Sequence, residues 1–322
     1  MMPGWPHGRR RIPWLVVFLL GAWAATVTAD TAEPARTRFF LSGDGHLNLA
    51  SSKNGTTFDG RYRIAADRYD PEALRIVHQV FDAPYSPDKP RLSLRLLEYL
   101  DYLQDQLRPG SRITITSGYR SPAYNRNVRQ GGGLAAKASM HQYGMAADFI
   151  MEGVPSRRVW EKVKALGFGG TGYYQGQTVH VDVGPARFWD ETDSGVGTGI
   201  SDDNQLIGLV ADYDIYSPDT PMYLHFIRMT AFPIGVTATF ELRRRSSAGE
   251  VLESMAFRAD FNQSHQEDCP HLENIEQMAF IRWRLPHDLP PGRYDIQARF
   301  CDSLWERMPR QVATPVFVVS AP

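Results

Sequence analysis

The chain has 322 residues, 43% hydrophobic and 22% charged, which suits two globular domains and excludes a disordered or fibrous polypeptide. Lysine and arginine total 35 against 36 acidic residues, a net charge of -1, so no overall attraction to polyanions supports nucleic-acid binding. The two cysteines, Cys269 and Cys301, exclude a disulfide-dense scaffold and a cysteine-rich zinc or iron–sulfur module, leaving histidine and carboxylate as ligands for any metal.

At the start of the chain, Arg9, Arg10 and Arg11 precede an apolar run from Trp14 to about Val27, and Val27-Thr28-Ala29 offers a small-residue cleavage site. This pattern predicts a signal peptide over 1–29, with an uncleaved N-terminal anchor as the alternative. The run is shorter than the ~20 apolar residues that span a bilayer, and no other segment approaches that length, so no membrane span is expected after cleavage. No cysteine follows the run, which excludes a lipoprotein anchor. Export to the periplasm or beyond is expected, and an oxidising compartment would let Cys269 and Cys301 form a disulfide.

Residues 30–190 mix helix and strand patterns. Phe39-Phe40-Leu41 and Leu47-Asn48-Leu49 flank a turn-rich Ser42-Gly43-Asp44-Gly45, which predicts a hairpin. Asp70-Pro71 starts a helix with Leu74, Val77 and Phe81 on one face, and a second helix runs from about Ser93 to Leu107 with Leu96, Leu100, Leu103 and Leu107 as its buried stripe. Arg112 to Ser117 alternates as a strand, and Pro155 to Leu166 forms a third helix. A polar, glycine-rich linker is predicted over 191–204. Beyond it, 205–322 carries short β-rich runs separated by turn signals, which predicts an all-β, immunoglobulin-like sandwich.

Three stretches of the mixed domain concentrate polar residues at strand ends: Ser117-Gly118-Tyr119-Arg120-Ser121, Ser139 to Asp148, and Val179-His180-Val181-Asp182-Val183-Gly184. In the last, strand periodicity sends the valines to one face and His180 with Asp182 to the other. Asp148 follows an alanine-rich run and precedes Phe149-Ile150, so its carboxylate needs a partner in an apolar setting. One cation gathering His141, Asp148 and His180 would satisfy all three, with a fourth position open for chemistry. Capping, surface or hydrogen-bonded core roles fit the same spacing, which does not choose between them.

Together, Ser-Gly-Tyr-Arg-Ser, Ser-x-His-x-x-Gly-x-Ala-x-Asp at Ser139 to Asp148, and His-Val-Asp-Val-Gly at His180 resemble the zinc D-Ala-D-Ala peptidases of the hedgehog/DD-peptidase fold. The MepK-type murein endopeptidases are the most similar branch, with Gly172-Tyr173-Tyr174 and Pro185-Ala186-Arg187-Phe188-Trp189 also fitting, over about Arg38 to Trp189. The resemblance implies an α+β zinc domain, Zn2+ held by His141, Asp148 and His180, and Arg120 directed toward a substrate carbonyl or carboxylate. It implies cleavage of peptidoglycan stem peptides or cross-links, as an endopeptidase or a D-Ala-D-Ala carboxypeptidase.

Many relatives carry Glu-x-x-His, with the glutamate as general base; here that position is Gln177. Asp182, on the face of His180, is the candidate base, and support of a ligand or of strand-end backbone is its other reading. Arg120 serves either substrate or a structural carboxylate. Ser139 contacts substrate or local backbone, and Tyr119, Tyr143, Tyr173 and Tyr174 line the cleft or pack. The sandwich is expected to provide a targeting or protein-contact surface. A zinc-containing module that binds peptidoglycan or protein without hydrolysis is the alternative function, invited by Gln177.

Overall fold

The computed structural model describes residues 37–321 apart from 88–90, 133–134, 191, 194–197, 262–266, 279–280 and 303–304. The predicted signal peptide and part of the predicted linker lie outside the described residues. In chain order the first elements are β1 (His46–Ser51), β2 (Thr57–Arg61), β3 (Arg63–Ala65), β4 (Arg68–Tyr69), α1 (Pro71–Val80), α2 (Leu94–Leu107) and β5 (Ile113–Ser117). They are followed by α3 (Pro122–Gln130), a 3-10 turn (Met140–Tyr143), β6 (Ala146–Met151), α4 (Ser156–Leu166), β7 (Gly170–Tyr173), β8 (Val179–Asp182) and β9 (Arg187–Asp190).

Seven of these strands form one sheet in the order β2-β1-β5-β6-β8-β7-β9. Most pairs are antiparallel; β1 with β5 and β7 with β9 are parallel. Helix α1 starts where Asp70 accepts from the Glu72 and Ala73 amides and Pro71 takes the first turn, a position that needs no amide hydrogen. Its Val77 and Val80 join Leu47, Leu49, Ile113, Phe149, Val179 and Val181 in the first core. Helix α2 contributes Leu96, Leu100 and Leu103 as its pattern predicts, but Glu98, Asp101 and Gln104 are buried as well. The β3–β4 arm covers that polar side: Arg63 Nε lies 2.9 Å from Glu98 and the Tyr69 hydroxyl donates to it at 3.0 Å.

The predicted hairpin differs in register. β1 pairs with β2, not with 39–41. Phe39 is instead buried against Tyr213, and the Arg38 carbonyl accepts from the Asp214 and Ile215 amides. A partner from the far end of the chain thus overrides the local turn signal.

The later strands are β10 (Gly208–Ala211), β11 (Ile215–Tyr216), β12 (Pro221–Ile227), β13 (Ile234–Val236), β14 (Thr239–Arg245), β15 (Val251–Arg258), β16 (His271–Leu272), β17 (Ile281–Arg284), β18 (Gly292–Asp302), β19 (Gln311–Ala313) and β20 (Phe317–Val319). A three-stranded sheet, β10-β12-β17, and an eight-stranded one share a second core. Leu209, Leu224 and Phe226 come from the smaller sheet, and Phe240, Ile296 and Phe317 from the larger. Cys269 and Cys301 are joined, with their Cα atoms 6.1 Å apart.

Ala35–Pro322 forms one compact unit. Its two cores are tied by a buried ion pair, Arg95 Nη2 to Asp214 at 2.7 Å, and by Arg95 Nη1 donating to the Ala211 carbonyl at 3.0 Å. Val210 and Ile227 of the later strands belong to the first core. Among the described residues, no helix is long and apolar enough to cross a membrane.

Candidate metal centre

The register of the central strands brings the candidate ligands together. Asp148 on β6 stands directly opposite His180 on β8. The third, His141, lies in the 3-10 turn Met140–Tyr143, which Gly144 ends with φ 62°. A side chain at 144 would place its Cβ 1.7 Å from the Arg91 carbonyl oxygen, so glycine alone fits this backbone and this close approach. At the end of β5, Gly118 plays a related part. Its carbonyl lies 2.7 Å from His141 Nδ1, and a Cβ there would sit 2.4 Å from the Phe81 carbonyl oxygen.

Two groups of described side chains could hold a cation: His141–Asp148–His180 and Asp44–Asp101–Asp105, with ligand atoms in each group within 4.8 Å of one another. In the second group, Asp101 Oδ2 accepts from the Gly45 amide at 2.8 Å and the Tyr62 hydroxyl at 2.9 Å, while Asp105 accepts from the Asp44 amide at 2.9 Å. Those carboxylates hold the loop before β1. The first group offers two imidazoles and a carboxylate.

Its hydrogen bonds settle which atoms face inward. His141 Nδ1 lies against a carbonyl, which can only accept, so Nδ1 carries the proton and Nε2 presents its lone pair. His180 Nε2 lies 3.0 Å from Asp182 Oδ2 and donates to that carboxylate. This leaves His180 Nδ1 facing Asp148 Oδ1 at 2.8 Å and His141 Nε2 at 3.3 Å. Asp148 Oδ2 is 3.4 Å from His141 Nε2. Two imidazole nitrogens and a carboxylate therefore converge on one point, with His141 2% and His180 6% exposed. Two lone pairs cannot satisfy each other, and a divalent cation with nitrogen and oxygen ligands fits the set.

Burial opposes the charge on Asp148, but His141 and His180 hold its carboxyl well below the usual range. Burial lowers the His141 pKa below that of a free imidazole. Burial also works against a charged His180, yet the Asp148 and Asp182 carboxylates outweigh it and raise its pKa.

Asp182 is completely buried. Oδ2 meets His180 and Arg187 Nη2 at 2.7 Å, and Oδ1 accepts from the Gly184 amide at 2.9 Å and the Gly170 amide at 3.3 Å. Burial opposes its charge, but Arg187 and His180 hold its pKa below the usual carboxylate range. Arg120 donates through Nη2 to Asp148 at 3.0 Å and through Nε to the Ser117 hydroxyl at 2.9 Å, and its backbone amide donates to the His141 carbonyl at 3.1 Å. Ser139 is buried beside the 3-10 turn, and Tyr119 is half-buried, its amide donating to the Phe81 carbonyl at 2.8 Å. Gln177 is exposed in the loop before β8.

Two residues beyond the candidates singled out in the sequence, Trp189 and Arg187, shape the cluster. Trp189 lies over His180 with ring centres 5.1 Å apart and takes the space that Gly172 leaves open. Arg187, 5.1 Å from the centre of the Trp189 ring, anchors Asp182. Burial and the Asp148 charge push the Tyr174 hydroxyl up to about 12. The sequence signal for Arg187 and Trp189 is their place within the resemblance, whereas Tyr174 is already among the tyrosines expected to line the cleft or pack. A cavity of about 650 Å³ opens beside the turn, lined by Gln142, Tyr143, Met145 and residues of β10 and β12, with none of the three candidate ligands in its wall.

Comparison with known proteins matches the part of the chain that carries this site. Residues 43–189 match the family described as Peptidoglycan L,D-endopeptidase MepK. Peptidoglycan L,D-endopeptidase MepK of Escherichia coli K12 is 32% identical over 146 residues, 45% of this chain and 76% of that one. The probable peptidoglycan L,D-endopeptidase MepK of Haemophilus influenzae is 40% identical over 145 residues, 44% of this chain and 77% of that one. These matches define a peptidase. The chain belongs to the MepK-type family of murein endopeptidases. Residues after 189 lie outside the match to the family.

Proposed function

We propose that the chain is an exported zinc metallopeptidase that cleaves peptide bonds in peptidoglycan stem peptides or cross-links. The observation that carries this reading is the convergence of His141 Nε2, His180 Nδ1 and Asp148, each held from outside by a partner that fixes its orientation. When bound, zinc would supply Lewis-acid polarisation of the scissile carbonyl and a water acidified to a pKa of ~7. Around it, His141 and His180 hold their outer protons on Gly118 and Asp182, which keeps the inner nitrogens as lone pairs. Asp182 acts in this reading as the support of His180 rather than as the proton acceptor, because each of its oxygens is already engaged. Arg120 offsets the Asp148 charge through Nη2 and leaves Nη1 for a substrate oxygen. Tyr174 adds a neutral hydroxyl donor to the same wall.

For the C-terminal strands, the order β10-β12-β17 facing β11-β20-β18-β14-β15 supports an immunoglobulin-like sandwich. The Cys269–Cys301 bridge suits an oxidising compartment such as the periplasm.

Isolated peptidoglycan digested with the mature protein, with and without chelator, tests the activity. Release of cleaved muropeptides that stops with chelator and returns with zinc supports the reading. Retention on the polymer with no cleavage would instead indicate a binding module.

A further inference from the structure

Strand β12 ends against the 3-10 turn that carries His141. The Met229 amide donates to the Tyr143 hydroxyl at 3.0 Å, and Ile227 is buried in the first core. Between them stands Arg228, with φ 61°. A non-glycine residue in the left-handed region is held there only when its surroundings demand it. Arg228 thus leaves the chain between the Tyr143 contact on one side and the buried Ile227 on the other, next to the turn that carries His141.

The guanidinium has an unusual balance. Its Nε is buried without a hydrogen-bond partner, and no described residue forms an ion pair with it. Burial and the nearby Arg187 push its pKa down to about 10, while Asp182 and Tyr143 pull the other way. Yet Asp182, the carboxylate that acts on it, is already committed to Arg187 and His180. Asp182 therefore has no oxygen left for a second guanidinium. One positive charge is left over at the edge of the site, partly desolvated, where an incoming anion would be bound more strongly than in water.

We propose that Arg228, supplied by the C-terminal half, is a specificity residue of the cleft that pairs with a carboxylate of the substrate peptide. This rests on the peptidase reading above and adds a substrate contact that residues 43–189 do not contain. The carboxylate would be either the free C-terminus of a stem peptide or the side-chain carboxylate of its diamino acid residue. Pairing a planar guanidinium with a carboxylate also fixes the direction in which the peptide crosses the site.

The test uses the full mature protein loaded with zinc and three synthetic stem peptides: one with both carboxylates free, one amidated at the C-terminus, and one amidated at the diamino acid side chain. Arg228→Met is expected to raise KM for the free acid about 10- to 100-fold, the usual range for losing a charged hydrogen bond, with kcat little changed. One of the two amides should show the same high KM in the wild type and no further rise in the variant, which identifies the carboxylate. Arg228→Lys should recover part of the loss. Because the left-handed backbone strains any side chain here, Arg228→Gly is the second variant, free of that strain and of the charge. Zinc content and unfolding temperature close to wild type in either variant show an intact site. Wild-type KM for the free acid in both variants, or an equal loss on all three peptides, would overturn the proposal while leaving the peptidase reading in place. A wild-type protein that cleaves no peptide and no peptidoglycan would overturn both.

Discussion

His180 Nε2 and Asp182 Oδ2 lie 3.0 Å apart on the side of the imidazole away from Asp148. This turns a residue two positions along the same strand into the support of a candidate ligand. Carboxylates in this place fix the tautomer and orientation of metal-bound histidines.

Asp182→Asn should therefore act on metal affinity first. Zinc affinity is expected to fall about 10- to 100-fold, the usual cost of losing such a support, and turnover at saturating zinc should fall much less. Zinc titration of the apo variant and kinetics at high zinc check the two parts. Unchanged affinity with a large loss of kcat would return Asp182 to the role of proton acceptor.

Gly118 offers a test of packing next to the site. A methyl group at 118 meets the Phe81 backbone at 2.4 Å, and backbone cannot move aside as a flexible side chain can. Gly118→Ala should lower stability by about 1–3 kcal/mol, the range for overpacking, and should also weaken zinc binding because the carbonyl that orients His141 shifts. Urea unfolding with and without zinc measures both; wild-type values for both would show that the loop after β5 adjusts freely.

The buried Asp101 gives a pH dependence remote from the metal. Burial pushes its carboxyl up to about 7, above the ~3.9 of an unfolded aspartate. Between those values the folded protein binds more protons than the unfolded chain. The contribution of Asp101 to stability is thus greatest below about pH 4 and is lost as pH rises toward 7, by a few kcal/mol in order of magnitude. Asp101→Asn does not titrate. The difference in unfolding free energy between variant and wild type should move in favour of the variant from pH 4.5 to 7, and a difference that stays constant with pH would contradict the assignment.

Much of this arrangement is legible in the sequence because it is local. Asp70-Pro71 begins a helix, the leucines of α2 mark its apolar face, and the alternation around His180 places Asp182 beside it. What escapes is set by long-range packing. The polar side of α2 is buried because the β3–β4 arm closes over it, and Phe39 leaves the expected hairpin because Tyr213 and Asp214 lie against its segment. Likewise, nothing around Arg228 in the sequence announces its position, which depends on the meeting of β12 with the turn at Tyr143. Gln177, where many relatives are expected to carry glutamate, is exposed in the loop before β8.

The claim that His141, Asp148 and His180 hold one zinc is tested most directly by the metal content of the purified mature protein and of His180→Ala. The account predicts about one zinc per wild-type chain, as for a mononuclear site with three protein ligands, and almost none in the variant after dialysis against a weak chelator. Full zinc occupancy in folded His180→Ala would contradict it.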